Sequence, residues 1–138
     1  MNDYKFEDIK LNMKEEFEVV ITEKMQEEFK NISGDINPIH SDDSFANDKG
    51  FPKKIVYGML TASFFSKLVG VYLPGKNCLF QECKNLMFHN PVFVGDKLKI
   101  IGEVKEIDER FKRITIKAVA INENNKKVAS AKLIVGVI

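Results

Sequence analysis

The sequence predicts one α+β domain over residues 1–138, in which an antiparallel sheet curls around a single apolar helix. Three observations predict this class. The chain of 138 residues is long enough for one core and too short for two domains. A nearly uncharged apolar segment runs from Ile55 to Gly75, and apolar and polar residues alternate after Cys78. A sheet wrapped around the helix is the packing that buries every apolar face of such a segment.

The N-terminal part is predicted to contain a strand followed by a short helix. Weak alternation between Phe6 and Val20 indicates at least one strand. Thr22 is a suitable N-cap for a helix. Apolar residues then recur at helical spacing, at Met25, Phe29 and Ile32. This pattern predicts an amphipathic helix that ends before Gly34.

The segment from Ile55 to Gly75 is predicted to be the buried central helix. Lys67 is its only charged residue, and the Pro74-Gly75 pair is expected to end it. A membrane span is the alternative. The uncharged run from Ile55 to Ser66 is, however, shorter than the roughly 20 residues that a span requires.

The remaining chain is predicted to form half-buried strands. One face of the first strand would carry Leu98, Ile100, Gly102 and Val104. The next strand would bury Ile114, Ile116 and Ala118. Turn signals suited to antiparallel hairpins lie at Gly95-Asp96, at residues 108–110 and at residues 122–126. A last strand from Val128 to Ile138 would close the sheet.

Charge and cysteine content exclude several function classes. The chain has 21 Lys plus Arg and 20 Asp plus Glu, so no excess charge favours nucleic acid or anionic lipid as a partner. The charged N-terminus has no apolar signal region, and a cytoplasmic location is expected. Cys78 and Cys83 are spaced for neither a redox pair nor a zinc site, so we expect two buried or half-buried thiols and no metal.

The stretch SGDINPIH, residues 33–40, holds an acid and one of the two histidines. Asp35 and His40 would point apart in regular structure, because residues five apart lie on opposite faces of a strand and about 140° apart on a helix. Gly34 and Pro38 favour a bend that brings the two side chains together. Such a pair can exchange protons with water near neutral pH. The alternative is a structural Asx turn beside a surface histidine.

Gly58, in VYGML, is predicted to lie near the start of the buried helix. Its N–H would then sit at the positive end of the helix dipole, where it can bind a developing oxyanion. The alternative is a glycine that only permits close packing. Acid, base and oxyanion donor together favour an enzyme that adds or removes a proton beside a carbonyl.

Three stretches of the chain resemble consecutive parts of one protein family. They are SGDINPIHSDDSFA, IVYGMLTASFFSKLVG, and LPGK followed by NPVFVGDKL. The family is that of the MaoC-like (R)-specific enoyl-CoA hydratases of the hot-dog fold, whose motif D-x-N-P-x-H is present. The resemblance extends from about Phe29 to Leu98. It implies five antiparallel strands around a long helix, and a homodimer whose sheets join edge to edge.

The resemblance also implies the reaction and the role of each catalytic group. The reaction is reversible syn addition of water to a trans-2-enoyl thioester. Asp35 would take a proton from the water, and His40 would help to protonate the α-carbon. The Gly58 N–H would polarise the thioester carbonyl. Coenzyme A would enter near the subunit interface as part of the acyl-CoA substrate, with no separate cofactor.

Further residues are implied to contact the substrate or support the site. Ser66 and Val69 would lie near the acyl chain, and Asn37 would brace the turn. Tyr57 stands where many relatives have histidine, so it is expected to change the shape and polarity of the pocket. His89 is interpreted as a strand-end side chain. Two interpretations are open for four lysines: they either form part of the solvated surface or bind the phosphates of coenzyme A. These are Lys49, Lys53, Lys54 and Lys76.

Three rival functions stay open at this point. A hot-dog thioesterase would aim the water at the carbonyl carbon. A dehydratase acting on acyl carrier protein would share the chemistry and differ in the surface that receives the carrier. A non-catalytic module would only bind the acyl thioester.

Overall fold

Five antiparallel strands form one sheet in the computed structural model, which describes residues 1–138. The strands are β1 (Lys14–Val20), β2 (Cys78–Phe88), β3 (Lys97–Asp108), β4 (Arg113–Ile121) and β5 (Lys127–Val137). Their order in the sheet is β1-β3-β4-β5-β2. The predicted five-stranded antiparallel sheet is therefore confirmed, with β1 and β2 as its two edges.

Three α-helices accompany the sheet: α1 (Glu23–Ser33), α2 (Asp43–Asp48) and α3 (Gly58–Lys67). Helix α1 confirms its prediction at both ends. The Thr22 hydroxyl accepts the Met25 N–H at 3.1 Å, and Gly34 ends the helix in the left-handed region at φ 71°. Short 3-10 turns lie at Phe6–Asp8 and Pro38–His40. The first of them occupies the beginning of the predicted N-terminal strand, and β1 begins only at Lys14.

Helix α3 starts later than its apolar composition predicts. Residues 55–57 lie before the helix, and their backbone bonds elsewhere: the Val56 N–H donates to the Val92 carbonyl at 2.7 Å. The helix continues past Lys67 as a π-helical turn, Leu68–Tyr72. No helix of the chain combines the length and apolar character needed to cross a bilayer.

The expectation that α3 is buried on every face is wrong for the single chain. Leu60 and Phe65 face the core, whereas Met59 is 55% exposed and Ser66 is exposed. In the single chain, one side of the helix packs on the core and the other is left uncovered.

The core lies between the concave face of the sheet and α3. All four predicted inward positions of β3 are buried: Leu98, Ile100, Gly102 and Val104. Gly102 permits a close approach, since a Cβ there would lie 2.8 Å from the Leu68 Cδ2. The period-two pattern therefore predicted the inward face correctly.

Two of the three predicted turns are hairpins. They join β3 to β4 and β4 to β5. The Gly95-Asp96 turn is not a hairpin, because β2 pairs with β5 rather than with β3. This turn is bound to the end of β1 instead: the Gly95 N–H donates to the Ile21 carbonyl at 2.7 Å.

Strand β2 is an exposed edge strand with apolar side chains. Its exposed large residues are Leu79, Phe80, Met87 and Phe88. Cys78 is half-buried as expected, and burial raises the pKa of its thiol to about 11. Cys83 is exposed, contrary to the expectation, because it lies in the middle of this edge strand, where residues 79–85 are all exposed.

Candidate active site

The turn Ser33–His40 is held by its own side chains. The Asn37 Oδ1 accepts the Ile39 N–H at 3.1 Å and so caps the 3-10 turn at Pro38. The Asp35 Oδ1 accepts the Asn37 N–H at 3.0 Å. Asp35 therefore makes the Asx turn that was the structural alternative, while its Oδ2 takes part in none of the chain's hydrogen bonds. One carboxylate oxygen shapes the turn and the other is free for chemistry.

The His40 ring is oriented by a backbone carbonyl. Its Nδ1 lies 2.8 Å from the Ile55 carbonyl oxygen. Because a carbonyl only accepts, Nδ1 carries the proton in the neutral ring and donates it. The geometry leaves Nε2 as the free nitrogen, able to exchange a proton with a ligand.

Tyr57 contacts both residues of the predicted acid–base pair. Its phenol O–H donates to the Asp35 carbonyl, and its ring packs on the His40 ring with centroids 4.0 Å apart. Only 2% of Tyr57 is exposed. Burial raises the pKa of this phenol, and the negative charges of Asp35 and Glu27 raise it further. Tyr57 is thus a neutral donor behind the turn.

Gly58 is the first residue of α3, as the oxyanion role requires. Its N–H has no acceptor within the helix, and none of the chain's turn or loop hydrogen bonds uses it. A Cβ at this position would lie 3.1 Å from the Phe88 ring. The absent side chain therefore leaves the N–H accessible beside that ring.

Two adjoining cavities share His40, Gly58 and Phe88 in their walls. The smaller measures about 320 Å³ and is also lined by Asp35 and Tyr57. The larger measures about 370 Å³ and is mostly apolar. Its other residues include Ile55, Val56, Thr61, His89 and Val92. The structure therefore brings Asp35, His40 and Gly58 to one concave site, of a size suited to a small acyl group.

Three further residues line or support this site without being predicted from the sequence. Thr61 is 2% exposed, lines the larger cavity, and its hydroxyl has no hydrogen-bond partner. Its spacing one helical turn after Gly58 could have revealed it. Phe88, the last residue of β2, lines both cavities. Gln26 contacts the site from α1, and its charged sequence surroundings carry no signal of this.

Two residues implied to contact the acyl chain lie outside both cavities. Ser66 is exposed on α3, and Val69 is buried in the core. Their roles stay predictions. His89 follows β2 directly, as interpreted, and its Nε2 lies 2.7 Å from the Ser130 Oγ. Lys54 forms an ion pair with Glu23 at 2.5 Å and is the most enclosed of the four lysines considered.

The arrangement can transfer protons beside a carbonyl. A free carboxylate oxygen and a free imidazole nitrogen can hold a water, and the Gly58 N–H can bind the oxygen that gains negative charge. The apolar walls of the larger cavity suit an aliphatic group attached to that carbonyl.

Comparisons with known proteins agree with this geometry. The family model described as "MaoC like domain" matches residues 5–126. The (R)-specific enoyl-CoA hydratase of Aeromonas caviae is 44% identical over 81 residues, which are 59% of this chain and 60% of that protein. The 3-hydroxybutyryl-CoA dehydratase of Methylorubrum extorquens is 33% identical over 102 residues, 74% of this chain and 64% of the relative. The matched regions thus cover less than two thirds of either relative.

Solved structures resemble nearly the whole chain. The unliganded R-hydratase PhaJ1 from Pseudomonas aeruginosa superposes with a TM-score of 0.91 at 27% identity, covering 98% of this chain and 86% of the other. The A. caviae (R)-hydratase involved in PHA biosynthesis superposes with a TM-score of 0.89 at 30% identity. The match covers 94% of this chain and 98% of the hydratase chain.

Proposed function

The chain belongs to the MaoC-like domain family, and we propose that it is an (R)-specific enoyl-CoA hydratase. It adds water reversibly to a trans-2-enoyl thioester and forms the (R)-3-hydroxyacyl thioester. The observation that carries the proposal is the convergence of Asp35, His40 and the free Gly58 N–H on one site. Similarity to the A. caviae hydratase supports the choice of reaction.

Each step of the proposed reaction uses one of these groups. The free Oδ2 of Asp35 takes a proton from water as the water oxygen bonds to the β-carbon. Electrons move onto the thioester oxygen, where the Gly58 N–H stabilises the enolate. The free Nε2 of His40 helps to relay that proton from Asp35 to the α-carbon, which restores the carbonyl and returns Asp35 to the carboxylate form. One water supplies both the hydroxyl on the β-carbon and the hydrogen on the α-carbon, so the chemistry needs no redox cofactor. Coenzyme A enters as part of the substrate.

Crotonyl-CoA tests the proposal directly. The protein should remove the absorbance of the conjugated enoyl group without releasing free thiol. Chiral analysis of the product should give the (R)-3-hydroxy acid. Thiol release would instead indicate a thioesterase, and binding without turnover over several chain lengths would indicate a non-catalytic module. Faster turnover of crotonyl bound to acyl carrier protein would favour the carrier-protein dehydratase.

We further propose that the chain forms a homodimer through β2. This edge strand leaves backbone groups unpaired and exposes Leu79, Phe80 and Met87. Met59 on the uncovered face of α3 extends the apolar surface. A second copy of the chain fits this surface, because antiparallel pairing of the two β2 strands would continue the sheet. It would also cover the uncovered face of α3 in each copy. Phe88, in the site's wall, would then lie near the interface.

Two lysine substitutions test this interface. Leu79 on β2 and Val20 on the opposite edge strand are both 48% exposed. Leu79→Lys should shift the mass in light scattering toward the monomer, whereas Val20→Lys should leave the dimer intact. Monomeric wild-type protein at working concentration would overturn the proposal, as would an equal effect of both substitutions.

A cytoplasmic location is also proposed. Both thiols are free, which is the usual state of cysteines in a reducing compartment. Fractionation of cells that express the tagged full-length protein would test the location, and recovery outside the cytoplasmic fraction would contradict it.

A further inference from the structure

Gln26 makes three hydrogen bonds that join the parts of the candidate site. It lies on α1 and is only 3% exposed. Its Nε2 donates to the His40 carbonyl at 2.9 Å and to the Ile55 carbonyl at 3.0 Å. Its Oε1 accepts the Tyr57 N–H at 3.3 Å. Three segments that are distant in sequence therefore meet at one side chain.

The three partners also determine which way the amide points. Two of them are carbonyls, which need a donor, and the third is an N–H, which needs an acceptor. The reverse orientation would place the amide oxygen against two carbonyl oxygens, so the orientation described is the one that satisfies all the groups. All three hydrogen bonds that this buried amide makes therefore hold backbone groups of the site.

The Ile55 carbonyl connects Gln26 to the His40 ring. This oxygen accepts both the Gln26 Nε2–H and the His40 Nδ1–H. A carbonyl held in place by one donor presents a fixed acceptor to the other, and that acceptor keeps the proton on Nδ1. The second donor to this carbonyl thus comes from a residue that does not line either cavity.

The Tyr57 N–H connects Gln26 to the oxyanion donor. Residue 57 directly precedes Gly58, whose free N–H starts α3. The Gln26 amide bonds both the Tyr57 N–H and the His40 carbonyl. It therefore sets the distance between the turn at residues 33–40 and the start of α3. Small errors in such a separation are costly, since a misplacement of about 1 Å can lower a rate about 100-fold.

We propose that Gln26 is a positioning residue that holds His40 as its Nδ1–H tautomer and aligns the turn with the start of α3. The catalytic part of this inference rests on the proposed hydratase function. The tautomer part does not, because it concerns the resting protein.

Nitrogen NMR of the histidine side chains tests the tautomer. The chain has two histidines, so a His89→Gln variant assigns the His40 signals. Wild-type His40 should be almost entirely the Nδ1–H tautomer when neutral. Gln26→Met keeps a side chain of similar length without donors, and it should give a mixture of tautomers. A predominant Nε2–H tautomer in the wild type, or an unchanged tautomer in Gln26→Met, would overturn the proposal.

Kinetics with crotonyl-CoA test the alignment. Gln26→Met should lower kcat about 10- to 100-fold with little change in KM, as expected when geometry rather than binding is lost. Met25→Ala is the matched control, because Met25 is a half-buried neighbour on the same helix that packs on the core. It should lower the Tm without changing kcat or the tautomer. Equal losses of kcat in the two variants would reduce Gln26 to a structural role.

Gln26→Glu provides a second variant if Gln26→Met does not fold. It retains an acceptor for the Tyr57 N–H and lacks both donors, so it should also shift the tautomer. If the wild type fails to hydrate crotonyl-CoA, the proposed function fails, while the NMR measurement still decides the role of Gln26.

Discussion

Two segments supply the candidate site, and they are held in place by different forces. The turn at residues 33–37 is exposed, and hydrogen bonds give it its shape. The start of α3 is bordered by buried residues, since Val56, Tyr57 and Thr61 pack in the interior. Asp35 therefore lies toward solvent and His40 is half-buried, whereas the candidate oxyanion donor lies at a helix end with mostly apolar neighbours.

The difference separates two requirements of the proposed reaction. A proton-transfer pair must exchange protons with water, and an exposed turn permits this. An oxyanion donor is most effective where little water competes with it, and the mostly apolar walls of the larger cavity beside Gly58 favour that environment. Tyr57 belongs to the buried segment but bonds the exposed one, so it joins the two.

Removing the acid–base groups should have the largest effect. Asp35→Asn or His40→Gln should lower kcat for crotonyl-CoA hydration by about 10²- to 10⁴-fold, because proton transfer is lost. Circular dichroism and thermal unfolding should still show a folded protein, since Asp35 is exposed and His40 is only half-buried. A variant with a wild-type rate would remove its residue from the mechanism.

Removing the oxyanion donor should have the next largest effect, and proline allows this at a helix start. Gly58→Pro deletes the N–H at the first helical position, where proline is tolerated, and the extended Tyr57 before it is compatible. Gly58→Ala is the control, as it adds a similar Cβ near Phe88 and keeps the N–H. We expect kcat of Gly58→Pro about 10²-fold below that of Gly58→Ala. Equal rates would exclude the oxyanion role.

Breaking the contact between the two segments should have a smaller effect. Tyr57→Phe removes the donor to the Asp35 carbonyl and keeps the ring on His40. It should lower the free energy of unfolding by about 1 kcal/mol and kcat by less than the Gly58→Pro change. Tyr72→Phe is the control, because that hydroxyl makes no hydrogen bond in the chain and its ring stacks on Phe17. Urea unfolding that shows equal losses for both would contradict the role of Tyr57.

The pH dependence of this contact should be the smallest effect. Burial raises the pKa of Tyr57 above its ordinary value of 10.0, so folding favours the neutral phenol. Its stabilisation is complete below pH 10.0 and is lost as pH rises through the folded-state pKa. The difference in unfolding free energy between wild type and Tyr57→Phe should therefore shrink above that pH. A difference that grows with pH would contradict this assignment.

Local pattern was sufficient to predict much of the fold. Helix α1 was predicted at both ends, because its N-cap at Thr22 and its terminal Gly34 act within one turn of chain. The inward face of β3 followed from its alternation. The bend that brings Asp35 and His40 to one cavity followed from Gly34 and Pro38.

Long-range pairing could not be predicted in the same way. Nothing near β2 indicates that it pairs with β5 at the edge, so the Gly95-Asp96 turn was taken for a hairpin. The start of α3 was placed too early, because the backbone at Val56 bonds to Val92, a residue distant in sequence. Both errors concern partners that local spacing does not specify.

The sequence by itself determined the residue types of the candidate site and the bend that carries two of them, since both depend on neighbours along the chain. Only the tertiary structure decided how these residues are oriented. The His40 tautomer is set by the Ile55 carbonyl, which accepts the Nδ1–H, and the Asp35 carbonyl is held in place by the Tyr57 O–H. Gln26 bonds groups 14, 29 and 31 residues away, and such contacts exist only once the chain has folded.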